Sequence, residues 1–361
     1  MNKTYKVDFV IGKMDAGGAQ RVIANLANYL SNHNYEIRII TFRTGDAYKL
    51  ESAIERIRFD NLNIYRRVLI SCFFSLLKFY SRKSNRPDII SAHIGEMGFS
   101  TIPIARLYGI KIIVSEHNNH FIEKQKFNKR VLWKYWFKSA NAITVLTKYD
   151  LPFFSRFNPK IVVMENPCSF EISQANFQKR EPVIIALGDL NRFTQKGFDT
   201  LIEIVAEVLP NYPDWKLKII GEGLKGEKYL KELTNKFQIT NQVQFTGYRS
   251  DVKAIMAHSE IFILPSRWEG LPMVLLEALS QRMACITFDC KTGPSEIIRD
   301  DYNGFLIEDQ NKPLMIKKLS ELIENKKIRR KFQKNAPDIL DNYTIENVGK
   351  KWMALFDEIT N

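Results

Sequence analysis

The stretch IFILPSRWEGLPMVLLE, residues 261–277, decides the fold. Residues 261–264 form a short, wholly apolar run, as a parallel strand covered on both faces requires, and Pro265-Ser266 ends it. Pro272 suits the first turn of a helix, where no backbone N–H is needed, and residues 273–279 continue with strong helix formers. A strand, a turn holding Gly270 and then a helix aim free backbone N–H groups and the positive end of a helix dipole at an anionic ligand. Glu269 and Glu277 flank that point, eight positions apart. Carboxylates repel phosphates but accept hydrogen bonds from paired hydroxyls, so a ribose or a sugar matches them better. Taken alone, the spacing reads more simply as one exposed and one ion-paired Glu.

Outward from this stretch the same rhythm recurs. Strand-like runs at 5–12, 36–42, 87–92, 110–116, 142–146 and 161–164 alternate with helix-like stretches in the first half. A second series follows at 182–187, 215–220, 243–246, 261–264 and 285–288, and 312–360 reads as helices. The class is α/β, with two doubly wound units. Asn166-Pro167 and the polar segment 169–181 mark the join, so the expected domains are 1–167, completed by a helix in 345–361, and 168–344.

Of 361 residues, 45% are hydrophobic, enough for two cores. The net charge of +13 is unevenly placed: residues 1–170 hold 26 Lys/Arg against 13 Asp/Glu, and residues 171–361 hold 27 of each. A basic first half implies a partner that touches only that half, either an anionic membrane surface or nucleic acid. Cys72, Cys168, Cys285 and Cys290 lack C-x-x-C spacing, which excludes a sequence-evident zinc site and favours reduced thiols in the cytoplasm. The polar and charged opening residues are not expected to act as a signal peptide, and no run of 18 apolar residues occurs in this sequence.

The Glu269/Glu277 pair resembles the E-x(7)-E motif of retaining glycosyltransferases of family 4. That resemblance implies a GT-B fold, two Rossmann-like domains facing a cleft, with the last helix, 348–359, crossing back to the first. It also implies that Glu269 meets the donor-sugar hydroxyls, that Glu277 binds the ribose, and that Gly270 and Leu271 sit beside the donor. The segment GDLNRFTQKGFDTLIE (188–203) resembles the family's G-R-L…K-G-x-D run, whose Arg and Lys bind the donor diphosphate. Lys196 falls on that Lys. Asp189 stands where the Arg is expected, and Arg192 is the nearest replacement cation. Gly221 in GEG, and Gly247 and Tyr248 in GYR, lie where GT-B enzymes hold the nucleoside. In the first half, Gly17-Gly18 matches the family's G-G-A-E/Q motif, and its N–H groups are expected near donor phosphates or acceptor. His117, ending IKIIVSEH, is expected to hydrogen-bond the donor sugar or acceptor, with His120 its rival. The run 291–309 resembles family members that build bacterial surface and lipid-linked glycans.

The implied activity is a retaining hexosyl- or N-acetylhexosaminyltransferase using a nucleotide-sugar, UDP-linked, as co-substrate and no other cofactor. No D-x-D occurs, so a metal-independent site is expected, with Arg192, Lys196 and helix-end amides neutralising the leaving diphosphate. Residues 64–83 and 124–138 interleave apolar and aromatic side chains with Lys and Arg, which suits a headgroup boundary or, alternatively, ordinary amphipathic helices. A polyprenyl-diphosphate-linked acceptor meeting Arg66 and Arg67, on the inner face of the cell membrane, is the expected partner. Three alternatives stand beside it: a soluble acceptor, a catalytically inactive subunit suggested by Asp189, and a basic nucleic-acid-binding protein. The last lacks any recognised binding motif, so no nucleic acid partner is expected.

Overall fold

The computed structural model describes residues 4–15, 17–59, 68–123, 126–174 and 180–361. The chain forms two compact units, one of Met1–Ser169 with Tyr343–Asn361 and the other of Phe170–Asn342. Arg66 and Arg67 fall outside the described residues.

In the first unit β1 (Tyr5–Val10), β2 (Tyr35–Thr41), β3 (Glu55–Arg58), β4 (Ile89–His93), β5 (Lys111–Ser115), β6 (Ala142–Val145) and β7 (Ile161–Val163) build one parallel sheet. Its order is β3-β2-β1-β4-β5-β6-β7. Alternating side chains sort onto two faces. Val7, Phe9, Ile37, Ile39, Ile89 and Ile113 pack under the helix Gly18–Ser31. Val10, Ile40, Ile90, Ile112 and Val114 pack on the other side with Cys72, Leu76 and Tyr80 from Val68–Ser81 and with residues of Gly98–Tyr108. Each fully covered aliphatic side chain contributes about 1.5–3 kcal/mol, which is why the central strands read as plain apolar runs.

One buried ionic group interrupts that second face. Asp8 on β1 stands opposite Arg38 on β2 and accepts two hydrogen bonds from it, at 2.7 and 2.6 Å, and a third from the Tyr80 hydroxyl at 2.6 Å. Burial outweighs these partners and raises the Asp8 carboxyl above its ordinary range.

The last helix, Ile345–Thr360, belongs to the first unit. Thr344 caps it by accepting from the Asn347 N–H, and Val348, Trp352, Leu355, Phe356 and Ile359 enter the β1–β2 face. Gly349 permits the close approach: a Cβ there would stand 2.2 Å from the Tyr29 ring.

The second unit repeats the plan. β8 (Glu181–Leu187), β9 (Lys216–Ile220), β10 (Val243–Phe245), β11 (Ser259–Leu264), β12 (Ala284–Asp289) and β13 (Gly304–Glu308) form a parallel sheet ordered β10-β9-β8-β11-β12-β13. Both sheets therefore reverse strand order once, between β1 and β4 and between β8 and β11, and ligands of such sheets bind past the carboxyl ends at that point. The structure adds two strands to those read from sequence, β3 and β13, and both are edges. β3 (ERIR) has three charged residues of four, and β13 starts at Gly304, half of an Asn-Gly turn signal.

The segment 126–139 is not one continuous amphipathic helix, membrane-facing or ordinary. It is an α-turn, Phe127–Val131, then a π-helix, Leu132–Trp136, and then a 3-10 turn, Phe137–Ser139. Trp133 and Phe137 are core residues, and Lys129 is 1% exposed because its ammonium lies 3.1 Å from the Glu116 carboxylate. Lys126, Arg130, Lys134 and Lys138 remain exposed, as do Phe127 and Tyr135.

Candidate active site

In the second unit the loop after β8 and the loop after β11 carry the side chains singled out by the motifs, and the fold joins them. The Lys196 ammonium donates to Glu269 Oε1 at 2.8 Å, and the Ser266 hydroxyl donates to the same oxygen at 2.6 Å. Glu269 Oε2 makes no hydrogen bond among the described residues, so one carboxylate oxygen is fixed and the other remains an acceptor. Lys196 keeps two of its three N–H donors for another anion.

Local backbone explains the approach. Lys196 ends the short helix Phe193–Lys196, and Gly197 turns left-handed behind it at φ +67°. A Cβ on Gly197 would stand 1.9 Å from the Pro265 carbonyl oxygen, so only glycine lets this loop cross the end of β11. The Arg267 guanidinium then ties the two loops, donating to both Asp199 oxygens at 2.7 and 2.9 Å, to the Thr200 hydroxyl at 2.9 Å and to the Thr194 carbonyl. The Arg267 N–H also donates to the Gln195 carbonyl at 2.9 Å. Although Arg267 lies two residues from Glu269 in the chain, its side chain is committed to this tie rather than to a sugar.

A third loop closes over the turn. Trp268 bridges to Lys291, and the Thr292 hydroxyl donates to the Glu269 carbonyl. Thr292 sits at φ 73°, which a β-branched side chain adopts only when its surroundings hold it there, and such strain concentrates at functional sites. Cys290, one residue before this loop, is buried, and burial followed by the nearby Glu269 charge pushes its thiol up, so it is no nucleophile.

The other residues expected on the donor side take these places. Glu277 is 4% exposed in the helix Met273–Ser280, which begins after Pro272 beside Gly270 and Leu271. Gly221 lies against the loop after β8, where a Cβ would meet the Gly188 carbonyl oxygen at 1.9 Å, and its N–H donates to the Gly247 carbonyl at 3.0 Å. Tyr248 is 67% exposed. Asp189 accepts from the Asn191 N–H at 2.9 Å and caps the 3-10 turn Leu190–Arg192, which gives the carboxylate at the family's Arg position a local structural role. Arg192 is exposed and its guanidinium donates to the Gln195 side-chain oxygen at 2.8 Å.

In the first unit Gly17 precedes the helix Gly18–Ser31, but its N–H is engaged. It donates to the Tyr48 hydroxyl at 3.0 Å, which in turn donates to the Gly17 carbonyl at 2.9 Å. Gly18 faces open space, with nothing within 4 Å of where a Cβ would stand. His117, two residues past β5, has Nε2 3.0 Å from His93 Nδ1. Burial, with the nearby Lys129 charge, lowers its pKa to about 4. His120 is paired with Asp150 at 2.5 Å, and Asp150 also accepts from the Thr147 hydroxyl at 2.7 Å. Tyr48, Ser266, Thr292 and His93 carry no motif in the sequence; only the His93-x(23)-His117 pair at two strand ends offers a signal.

Among the described residues no cluster of three or more His, Cys, Asp or Glu is placed to hold a metal ion, and no helix is long and apolar enough to cross a membrane.

Two family models match the chain: "Glycosyltransferase Family 4" over residues 16–169 and "Glycosyl transferases group 1" over residues 169–338. The chain belongs to these glycosyltransferases, and its fold is GT-B. It is 29% identical over 362 residues to the amylovoran biosynthesis glycosyltransferase AmsD of Erwinia amylovora, covering 96% of this chain and 98% of that one. It is 28% identical over 373 residues, with 99% of each chain covered, to a Campylobacter jejuni GalNAc-alpha-(1->4)-GalNAc-alpha-(1->3)-diNAcBac-PP-undecaprenol alpha-1,4-N-acetyl-D-galactosaminyltransferase. The structure of Anabaena Alr3699/HepE in complex with UDP and glucose superposes with a TM-score of 0.81 at 15% identity, covering 98% of this chain and all of that one. The protein is a glycosyltransferase, of the class that moves hexosyl or N-acetylhexosaminyl groups.

Proposed function

We propose that this enzyme transfers a hexose or N-acetylhexosamine from a UDP-sugar to a polyprenyl-diphosphate-linked glycan, retaining anomeric configuration and without a metal ion. The observation that carries the reading is the Lys196–Glu269 contact at the β8/β11 strand reversal. Lys196 supplies positive charge for a leaving diphosphate, and Glu269 Oε2 supplies an acceptor for a donor-sugar hydroxyl, side by side on one turn. Glu269 Oε1 is held by Lys196 and Ser266, which suits a carboxylate that positions a sugar rather than one that attacks it. Retention then proceeds by front-face attack: the acceptor oxygen bonds to the anomeric carbon as the C–O bond to the diphosphate breaks, and a leaving phosphate oxygen takes the acceptor proton. The enzyme's part is orientation and charge stabilisation.

The relatives' names support the donor and acceptor classes: the Campylobacter enzyme's names an undecaprenol diphosphate, and the Anabaena structure holds UDP. An anionic membrane surface is the further partner in this reading. Its support is a basic first half whose exposed Ile70, Phe74, Phe127 and Tyr135 stand among exposed Lys78, Lys126, Arg130 and Lys134.

The test is a thermal-shift screen of nucleotide-sugars followed by turnover on a polyprenyl-diphosphate glycan, with Glu277→Ala as control. Stabilisation by one UDP-sugar that the variant loses, and an α-linked product from an α-linked donor by NMR, are the expected results. Stabilisation that survives Glu277→Ala, or an inverted product, overturns the reading. Sedimentation with anionic vesicles at low salt checks the surface; equal binding to neutral vesicles removes it.

A further inference from the structure

Two polar residues interrupt the apolar face of β4. Ser91 and His93 lie two apart, so both point to the side covered by Ile345–Thr360, and they are 0% and 1% exposed. The His93 ring packs 5.2 Å from Phe9 and 5.8 Å from Trp352. Polar groups this deep are costly unless hydrogen-bonded, and these are joined in a line. Ser91 Oγ is 3.0 Å from His93 Nε2, His93 Nδ1 is 3.0 Å from His117 Nε2, and His117 Nδ1 is buried with no hydrogen-bond partner among the described residues.

The direction of the line follows from its first member. Burial drives the pKa of both imidazoles down, so each ring is neutral and carries one N–H and one lone pair. The Ser91 hydroxyl has His93 Nε2 as its hydrogen-bond partner, so satisfying its proton requires it to donate there. His93 then carries its proton on Nδ1 and donates to His117 Nε2. His117 in turn carries its proton on Nδ1, the nitrogen left without an acceptor.

We propose that Ser91 and His93 are positioning residues that fix the tautomer and ring orientation of His117 so that it presents an uncharged Nδ1–H to a carbohydrate hydroxyl oxygen. The proposal rests on the reading above that His117 faces a sugar, and it adds how two residues remote from the sugar select the donor form. A neutral N–H suits a hydroxyl; the nearby Lys129 ammonium already disfavours a second cation at His117.

Long-range 1H–15N spectra of the imidazoles test the tautomer without substrate. His117 should be protonated at Nδ1 in the parent protein, and Ser91→Ala should convert it to a mixture. Protonation at Nε2, or a spectrum unchanged by Ser91→Ala, overturns the proposal. This result stands whether or not any nucleotide-sugar is turned over, so failure of the transferase reading is separately visible. With turnover in hand, Ser91→Ala and His93→Phe should each lower kcat/KM about tenfold, the scale of one buried neutral hydrogen bond, with UDP affinity unchanged. His93→Asn, whose amide can still donate to His117 Nε2, should recover most of the loss. Equal losses in His93→Asn and His93→Phe, accompanied by weaker UDP binding, would mean a purely structural role and overturn the proposal.

Discussion

The tie between Arg267 and Asp199 sets where Lys196 stands, and breaking it should cost both stability and donor binding. Arg267 makes two hydrogen bonds to the carboxylate, one to the Thr200 hydroxyl and one to the Thr194 carbonyl, with the pair 27% and 21% exposed. A hydrogen bond to a charged group is worth about 1.5–3 kcal/mol net, and solvent at a quarter-exposed pair pulls the figure to the lower end. Arg267→Ala should therefore lose about 2 kcal/mol, and Asp199→Ala about 1.5 kcal/mol. The double variant should lose clearly less than their sum, leaving a coupling of about 1–1.5 kcal/mol. In a unit of this size the first change lowers Tm by roughly 4–8 °C. Freed from the turn, Lys196 spends less time beside Glu269, and KM for the nucleotide-sugar should rise about tenfold, equivalent to about 1.4 kcal/mol, with a smaller change in kcat. Arg267→Lys keeps the charge but not the planar fork, so it should restore less than half of either loss. Urea denaturation of the four-member cycle and initial rates give both quantities. Strict additivity, or an unaltered KM in the destabilised variants, refutes the reasoning.

Asp8→Ala leaves the 3%-exposed Arg38 without its counter-charge and should cost about 3–5 kcal/mol in urea denaturation, while Asp8→Leu with Arg38→Met should recover most of it. Gly197→Ala forces a Cβ onto the Pro265 carbonyl at a left-handed φ and should cost at least about 2 kcal/mol; a Tm within a degree of the parent contradicts the close crossing. His117 binds its proton near pH 4 when folded and near 6.5 when unfolded, so the stability it allows is complete above pH 6.5. It is lost as the pH falls through that window, by up to about 1.4 kcal/mol per unit. His117→Gln should therefore lose less stability than the parent between pH 7 and 5, and parallel losses would refute the depressed value.

Central strands were legible because burial on both faces leaves apolar runs; 261–264 is unbroken, and 285–288 is interrupted only by Thr287. The edges β3 and β13 were not, because a strand with one neighbour and one wet side needs no such run, and ERIR shows none. Lys196 and Glu269 were legible through motifs whose spacing survives in one dimension. Tyr48 was not: its hydroxyl reaches Gly17 across 31 residues, and nothing periodic announces it. The segment 126–139 was legible only in part, for a related reason. Its Lys and Trp pattern suits a headgroup layer, yet Lys129 and Trp133 both turn inward to the Glu116 carboxylate, 13 and 17 residues earlier on another element. A buried charge is visible only with its counter-ion, and the counter-ion is distant in sequence.

The helix Ile345–Thr360 fills the β1–β2 face of a sheet whose own strands end at Val163. During synthesis the amino-terminal unit must wait, with Val7, Phe9, Ile37 and Ile39 incompletely covered, while the entire second unit emerges and folds. A premature stop that removes only the final turns would thus damage the beginning of the protein, leaving the second unit able to fold and the first unit prone to sticking.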